Sequence, residues 1–509
     1  MKNKLLKGFT WLTVGAVLAK ILGGIYKIIL TRILGGTTFG MYQQVLPVYT
    51  LLVVLITAGV PLGVSKLLAK KRDEQEKLKT IKVILHIFFV ISIVISLVLL
   101  FFSRAISKAQ GNSGLTACYY FLAPAIVFSA LSAVLKGFFQ SAEDFKPTAI
   151  SQILEQSAKV VLGLSFSLIF AYESVFLQIL GAILGISLGD FATLIVLIVY
   201  LKKKKIKLPK TSFDSSYVKD LVKIVFPIML SSLIIPFSQF IDSILVVKML
   251  NRNFNSSMSI YLYGLQSGVV STLIGFPSVI TFSLVSVMLP TLTRDYQQGR
   301  EDSFSSKVSF AIKLVVILVI PCVVFVMFFP REIISLLYAN RLDGFNVDGI
   351  DLTSKLLFWS AFNIVFSCFS QFLSIVLQSR EKRYLPAINN VIGMIVKTVL
   401  VIIFVPSRQL NILAFTLANS VGYFVIFFLN FYELLSEVKI KIEHKFWVKV
   451  SMVNIVVIIS SLVLMLIGYS SFKFMIISLF SVVLYFILLF SVKIFSKEDV
   501  NKYLKFNKK

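Results

Sequence analysis

Apolar residues run in blocks of about twenty or more along almost the whole chain, separated by short charged segments, and the polar residues inside the blocks recur every third or fourth position. Such blocks match the roughly 30 Å hydrocarbon core of a bilayer crossed by a helix. The pattern predicts fourteen spans, at about 8–34, 43–69, 82–103, 116–140, 148–171, 175–201, 223–248, 262–290, 308–330, 355–378, 385–405, 411–433, 447–469 and 473–494. Continuous apolar runs, rather than short alternating strands, exclude an outer-membrane barrel. The predicted class is an all-α integral membrane protein, and a non-transporting scaffold is one candidate role for such a bundle.

Two stretches resemble each other: "QSAEDFKPTAISQILEQSAKVVL" (140–162) and "QSREKRYLPAINNVIGMIVKTVL" (378–400). Each reads Gln-Ser, a charged turn, a proline, Ala-Ile and then a lysine before Val-Leu. Lys159 follows Pro147, and Lys397 follows Pro386, by roughly 16–18 Å of helix, which puts both lysines near mid-membrane. A weaker echo links "KKRDEQ" (70–75) to "LTRDYQ" (292–297). The matches predict a parallel repeat of two six-helix lobes, 1–215 and 216–440, with two C-terminal helices and a tail at 441–509.

Inside the spans, polar residues form stripes. Gln152, Glu155, Gln156 and Lys159 lie at i, i+3, i+4 and i+7, on one face of span five. Lys20 and Lys27 share a face of span one, with Arg32 nearer its outer end, and Asn390 lies on the Lys397 face of span eleven. Span ten carries Asn363, Ser367, Ser370, Gln371, Ser374 and Gln378, spacing that fits interhelical hydrogen bonding in part. Charges at membrane depth cost a few kcal/mol each, so these faces are expected to line a water-filled cavity or pair with one another. Glu155 and Lys159 read either as a self-neutralising i,i+4 pair or as a substrate or gating contact. Asp242 reads either as a partner for a cavity lysine or as a coupling-ion or substrate contact. Asp190 follows Gly181, Gly185 and Gly189, a ladder that marks close helix packing.

Composition agrees with the spans: 57% of the 509 residues are hydrophobic, 15% are charged, and mean hydropathy is +0.89. A net charge of +27 raises the question of nucleic acid, but its distribution answers it. With loops assigned alternately, the termini and even-numbered loops hold 36 of the 51 Lys and Arg, and the odd-numbered loops hold 9. That asymmetry predicts cytoplasmic termini in a bacterial plasma membrane and no nucleic-acid partner. The basic segment "LKKKKIKLPK" (201–210) reads as a topology anchor touching anionic lipid. The basic, apolar N-terminus runs on past Lys20 and Lys27 to Leu34, so a retained first helix is expected rather than a cleaved signal. Cys118, Cys322 and Cys368 are scattered and His86 and His444 stand alone, so no metal site, cofactor or catalytic residue is expected.

Basic residues in the spans outnumber acidic ones, which suits an anionic substrate such as phosphate or pyrophosphate, met by lysine as a point charge. A cation or drug antiporter would instead need an uncompensated carboxylate. With no ATP-hydrolysis motif, the expected driver is H+, Na+, the membrane potential or downhill flow.

Three stretches carry a family resemblance. "KILGGIYKIILTRILGGTTFGMYQQVLPVYTLLVVLITAGVPLGVSKLLAKK" (20–71) resembles the first two helices of the stage V sporulation protein B group. "LKGFFQSAEDFKPTAISQILEQSAKVVLGL" (135–164) resembles its fourth-to-fifth helix turn, and "FIDSILV" (240–246) its seventh helix. That group sits in the polysaccharide-exporter superfamily, beside the MurJ-type lipid II flippases. The resemblance implies a two-lobed, alternating-access transporter carrying a polyprenyl-pyrophosphate-linked sugar, with a cationic cavity for the pyrophosphate and a lipid groove on the last two helices. Lys20 and Arg32 match basic positions of the family's first helix, and Lys27 that of the sporulation group. Lysine stands where relatives have arginine at several such places, which loosens the bidentate grip on phosphate. Together with the basic excess in the spans, this makes Lys20, Lys27, Lys159 and Lys397 the expected pyrophosphate ligands, with Arg32 nearby, while Glu155 and Asp242 are expected to hold the lysines in the empty cavity.

Overall fold

The computed structural model describes residues 2–206, 208–209, 216–345, 347–380, 382, 384–440, 442–466 and 470–494. Among them the chain is nearly all helix, with only an isolated bridge between Gly344 and Val347. The helices of the first half are α1 (Lys2–Thr57), α2 (Val60–Ala69), α3 (Glu74–Ala109), α4 (Thr116–Ser141), α5 (Lys146–Ile169), α6 (Val175–Lys203), α7 (Ser216–Leu250) and α8 (Ser256–Gly264). A π-helical turn, Leu265–Val270, joins α8 to α9 (Ser271–Gln297). There follow α10 (Glu301–Phe328), α11 (Pro330–Tyr338), α12 (Gly349–Ser379), α13 (Leu385–Phe404), α14 (Asn411–Leu435), α15 (His444–Leu466) and α16 (Ser471–Ser491).

Among the described residues, 13 helical stretches are long and apolar enough to cross a membrane. The first of them, Val14–Ala69, runs 56 residues and takes in the second predicted span and all but the first six residues of the first. Glycine allows the turns within it. Gly35 has φ 72 and divides α1 into two helical segments, and Gly59, with φ 76, separates α1 from α2. Large apolar side chains face outward, Phe101 and Phe490 each 81% exposed, while buried serines and threonines bond carbonyls of their own helices, as Thr31 does to Lys27 O at 2.7 Å. Apolar outside with internally satisfied polar groups inside is the arrangement a lipid solvent demands, so the chain is a multi-pass membrane protein.

The chain packs as two units, the residues up to Thr272 with Thr398–Phe415, and Leu273–Lys397 with the residues from Thr416 on. The first centres on Val64, Leu68, Ile84, Phe139 and Leu197, fully or almost fully buried. Its outer polar tie joins α1 to α3, where the Gln44 and Gln110 side chains each donate to the other's backbone carbonyl at 2.8 Å. The second unit centres on Phe304, Val315, Phe372 and Val376. Here α16 docks on α10 through Tyr485, whose hydroxyl donates to Ile317 O at 2.7 Å, and Ser461 bonds Ser481 between α15 and α16 at 2.6 Å. At one end of this unit Arg380 stacks over Tyr296 and Phe304 and pairs with Glu437 at 3.3 Å, joining the ends of α9, α10, α12 and α14.

Candidate functional site

The deepest charge in the first unit lies where α5 and α6 pack most closely. Without a hydrophobic drive between helices in lipid, small residues set that approach. A Cβ on Gly181 would meet Ser167 N at 2.7 Å, and one on Gly185 would meet Gly163 N at 2.6 Å. One turn further, a Cβ on Gly189 would meet Lys159 Cγ at 2.6 Å. The ladder therefore seats α6 on α5 and leaves Lys159 beside the next residue, Asp190.

Lys159 Nζ lies 2.8 Å from Glu155 Oε1 and 3.2 Å from Asp190 Oδ1. Tyr49 of α1 and Ser129 of α4 both donate to Asp190 Oδ2, the latter at 2.7 Å. Glu155 Oε2 accepts from Thr193 Oγ1 at 3.3 Å and lies 3.8 Å from Lys136 Nζ, while Gln156 Nε2 donates to Oε1 at 3.3 Å. Four helices thus meet on two ammonium groups and two carboxylates, a formally neutral set with Asp190 only 3% exposed.

Beside this cluster runs the first segment of α1, a 56-residue helix that contains no Asp or Glu. It lies along α5, with Gly15 against Ala149 and Gly23 within reach of Gln156 Oε1. Lys20 and Lys27 flank Gly23 on the same helical stripe, so the basic stripe of α1 lies next to the polar stripe of α5. Lys27 is half-buried; Lys20 and Arg32 are exposed. Gln152 is half-buried, and its Oε1 is a buried acceptor with no hydrogen-bond partner among the described residues.

Asp242 is buried on α7 in the same unit, and Lys397 is buried on α13 in the other. Lys397 repeats a detail of Lys159: a Cβ on Gly422 of α14 would meet Lys397 Cβ at 2.9 Å, as one on Gly189 would meet Lys159. Aligning the two lysines sets Gly393 opposite Glu155, and aligning Gly189 with Gly422 sets Tyr423 opposite Asp190, so the acidic pair is peculiar to the first copy. Asn390 and Gln371 are half-buried. It is the neighbouring Asn389 that is fully enclosed, donating to Asn430 Oδ1 at 2.9 Å, with Asn430 donating to Ser374 of α12 at 3.2 Å. Ser370 donates to Tyr423 O at 3.2 Å, so part of the α12 stripe does join helices.

Five members of the cluster, Asp190, Lys136, Tyr49, Ser129 and Thr193, are not singled out as site residues by the sequence. Asp190 was read with its glycine ladder as a packing mark, although a carboxylate one residue past the last small residue must sit at the rim of the closest approach. Lys136 is a lone lysine near the end of the predicted span 116–140, and Tyr49, Ser129 and Thr193 stand in apolar surroundings with no periodic signal. No group of His, Cys, Asp and Glu able to hold a metal occurs among the described residues.

Against known proteins, the family model for polysaccharide biosynthesis proteins matches residues 5–295, and the MatE model matches residues 227–403. The chain is 27% identical over 441 residues to stage V sporulation protein B of Bacillus subtilis, covering 84% of this chain and 83% of that protein. It is 26% identical to the lipid II flippase MurJ of the same organism, covering 83% and 81%. Among solved structures, MurJ in an inward closed conformation superposes with a TM-score of 0.72 at 18% identity, covering 95% and 98% of the two chains. An inward-facing multidrug transporter of the MATE family and MOP superfamily gives 0.66 at 15% identity, covering 82% and 95%. These structural likenesses show that the chain has the fold shared by MurJ and the MATE-family transporter.

Proposed function

From a chain that belongs to the polysaccharide biosynthesis protein family, we propose a flippase that moves a lipid-linked pyrophosphate sugar, of the peptidoglycan-precursor class, across the bacterial plasma membrane. The observation that carries the reading is α1: six basic residues and no acid on one helix, with Lys20 and Lys27 stacked on a single stripe. An acid-free stripe beside a polar helix face offers positive charge to an anion and nothing to a cation. Lys20, Lys27 and Arg32 meet the pyrophosphate, and Lys159 joins them when it leaves Asp190. Lys397, at the matching place in the second copy, serves the same anion as the lobes alternate. Gln152, Gln156, Gln371 and Asn390 contact the sugar or the gate, and Asp242 holds a cavity cation in the empty state. No bond is made or broken; the driver is H+, Na+ or the membrane potential. The excess of Lys and Arg in the termini and even-numbered loops supports cytoplasmic termini.

The MatE match over 227–403 favours a second reading, a cation-coupled antiporter that works through Glu155, Asp190 or Asp242. Complementation of a strain lacking its lipid II flippase separates the two. The flippase reading predicts rescue by the intact chain and loss of rescue, at equal expression, on Lys20→Ala with Lys27→Ala. Full rescue by that double variant defeats the assigned role of the α1 stripe, and cation-dependent drug efflux without rescue favours the antiporter.

A further inference from the structure

A crevice of about 120 Å³ opens between α3 and α7 within the first unit, away from the charge cluster. Its walls are apolar throughout, with Ile84, Phe88 and Ile91 on one side and Val222, Val225 and Phe226 on the other. Val222 and Phe226 are each about half exposed, so the crevice opens outward rather than into the bundle. On α7 these two residues share one helical stripe with Lys219 and Lys223, at i, i+3, i+4 and i+7, and both lysines are exposed. Asp220 is also exposed but lies off that stripe. Both helices begin at this end, and Lys82 of α3 donates to Pro209 O at 2.7 Å, which fastens the end of the basic 201–210 linker here.

An apolar slot topped by lysines is complementary to a molecule with a hydrocarbon chain and an anionic head. The principle is general, since basic groups at the mouth of an interhelical crevice on the inner leaflet select acidic lipids. We infer that the α3–α7 crevice is a binding site for a resident anionic diacyl phospholipid, one acyl chain lying between the helices and the phosphate against Lys219 and Lys223. The occupant is a bilayer lipid and not the transported molecule, because the site faces outward and shares no residue with the α1 and α5 stripes. The lysines hold the headgroup only while the chain is seated, so filling the slot and removing the charge each weaken binding.

Native mass spectrometry of the purified full-length protein tests this, with phosphatidylglycerol and phosphatidylcholine supplied at equal concentration. The expected result is preferential retention of one phosphatidylglycerol. Lys219→Gln with Lys223→Gln lowers that retention on the order of 25-fold, given about fivefold per surface lysine. Val222→Trp, which fills the slot from its exposed rim, displaces the lipid with the charges intact. Lys439→Gln with Lys445→Gln, basic residues elsewhere, leaves retention unchanged. Equal retention of the two lipids by the unaltered protein overturns the inference, as does unchanged retention in either crevice variant. Displacement of phosphatidylglycerol by equimolar undecaprenyl pyrophosphate also overturns it, by assigning the crevice to a substrate.

Discussion

Replacing Lys159 by Ala is expected to destabilise the protein by about 3–5 kcal/mol and to abolish flippase complementation, because it leaves two enclosed carboxylates without their shared counterion. Glu155 keeps Lys136 at 3.8 Å and the 3.3 Å hydrogen bonds from Thr193 and Gln156, and Asp190 keeps only the hydroxyls of Tyr49 and Ser129. Loss of activity in the single variant therefore mixes two effects, lost structure and lost substrate contact. A charge-balanced pair resolves them. Lys159→Met with Asp190→Asn removes one charge of each sign, and thermal unfolding in detergent should recover more than half of the lost stability. If Lys159 also meets substrate, this double variant is folded and still fails to complement. A folded double variant that complements fully would confine Lys159 to a structural role and leave the anion to α1.

Gly185→Val is expected to cost at least as much as a typical overpacked core position, about 1–3 kcal/mol, and to part α5 from α6. The atom met by its Cβ is backbone, Gly163 N at 2.6 Å, which cannot rotate away as a side chain would. Parting the helices also draws Asp190 from Lys159, so the variant should lose stability and complementation together. Gly275→Ala is the matched control, since nothing lies within 4 Å of its added Cβ, and it should change unfolding little. Equal unfolding temperatures for Gly185→Val and the unaltered protein would show that the close approach is not what seats Lys159.

The fold class was legible because membrane spans obey a length rule that local sequence states directly: twenty apolar residues cannot be hidden in any other way. The Glu155–Lys159 pair was legible for the same local reason, as i,i+4 neighbours on one turn. Asp190 and Tyr49 were not, because their partners lie 31 and 141 residues away in the chain, and no helical period announces a contact between helices. Gly35 shows a subtler limit. Its left-handed φ of 72 turns what reads as two separate apolar blocks into segments of one long helical run, and Gly-Gly in an apolar context gives no sign of which way the chain bends. On α13 the Lys397 stripe pointed to Asn390, yet its neighbour Asn389 is the one enclosed against α14. A single residue is 100° of helix, and the sequence pattern does not fix the facing edge to that tolerance.

The central claim is that this chain carries a lipid-linked pyrophosphate from one leaflet to the other by means of an acid-free basic stripe on α1. A leaflet assay in vesicles containing the purified protein tests it most directly. Lipid II and a teichoic or capsular lipid precursor are each loaded in one leaflet, and a membrane-impermeant probe reports the other. Transfer of lipid II, or of the other precursor, well above protein-free vesicles and lost on Lys20→Ala with Lys27→Ala, is the predicted result. Transfer of neither, or transfer that survives removal of both lysines, would contradict the account.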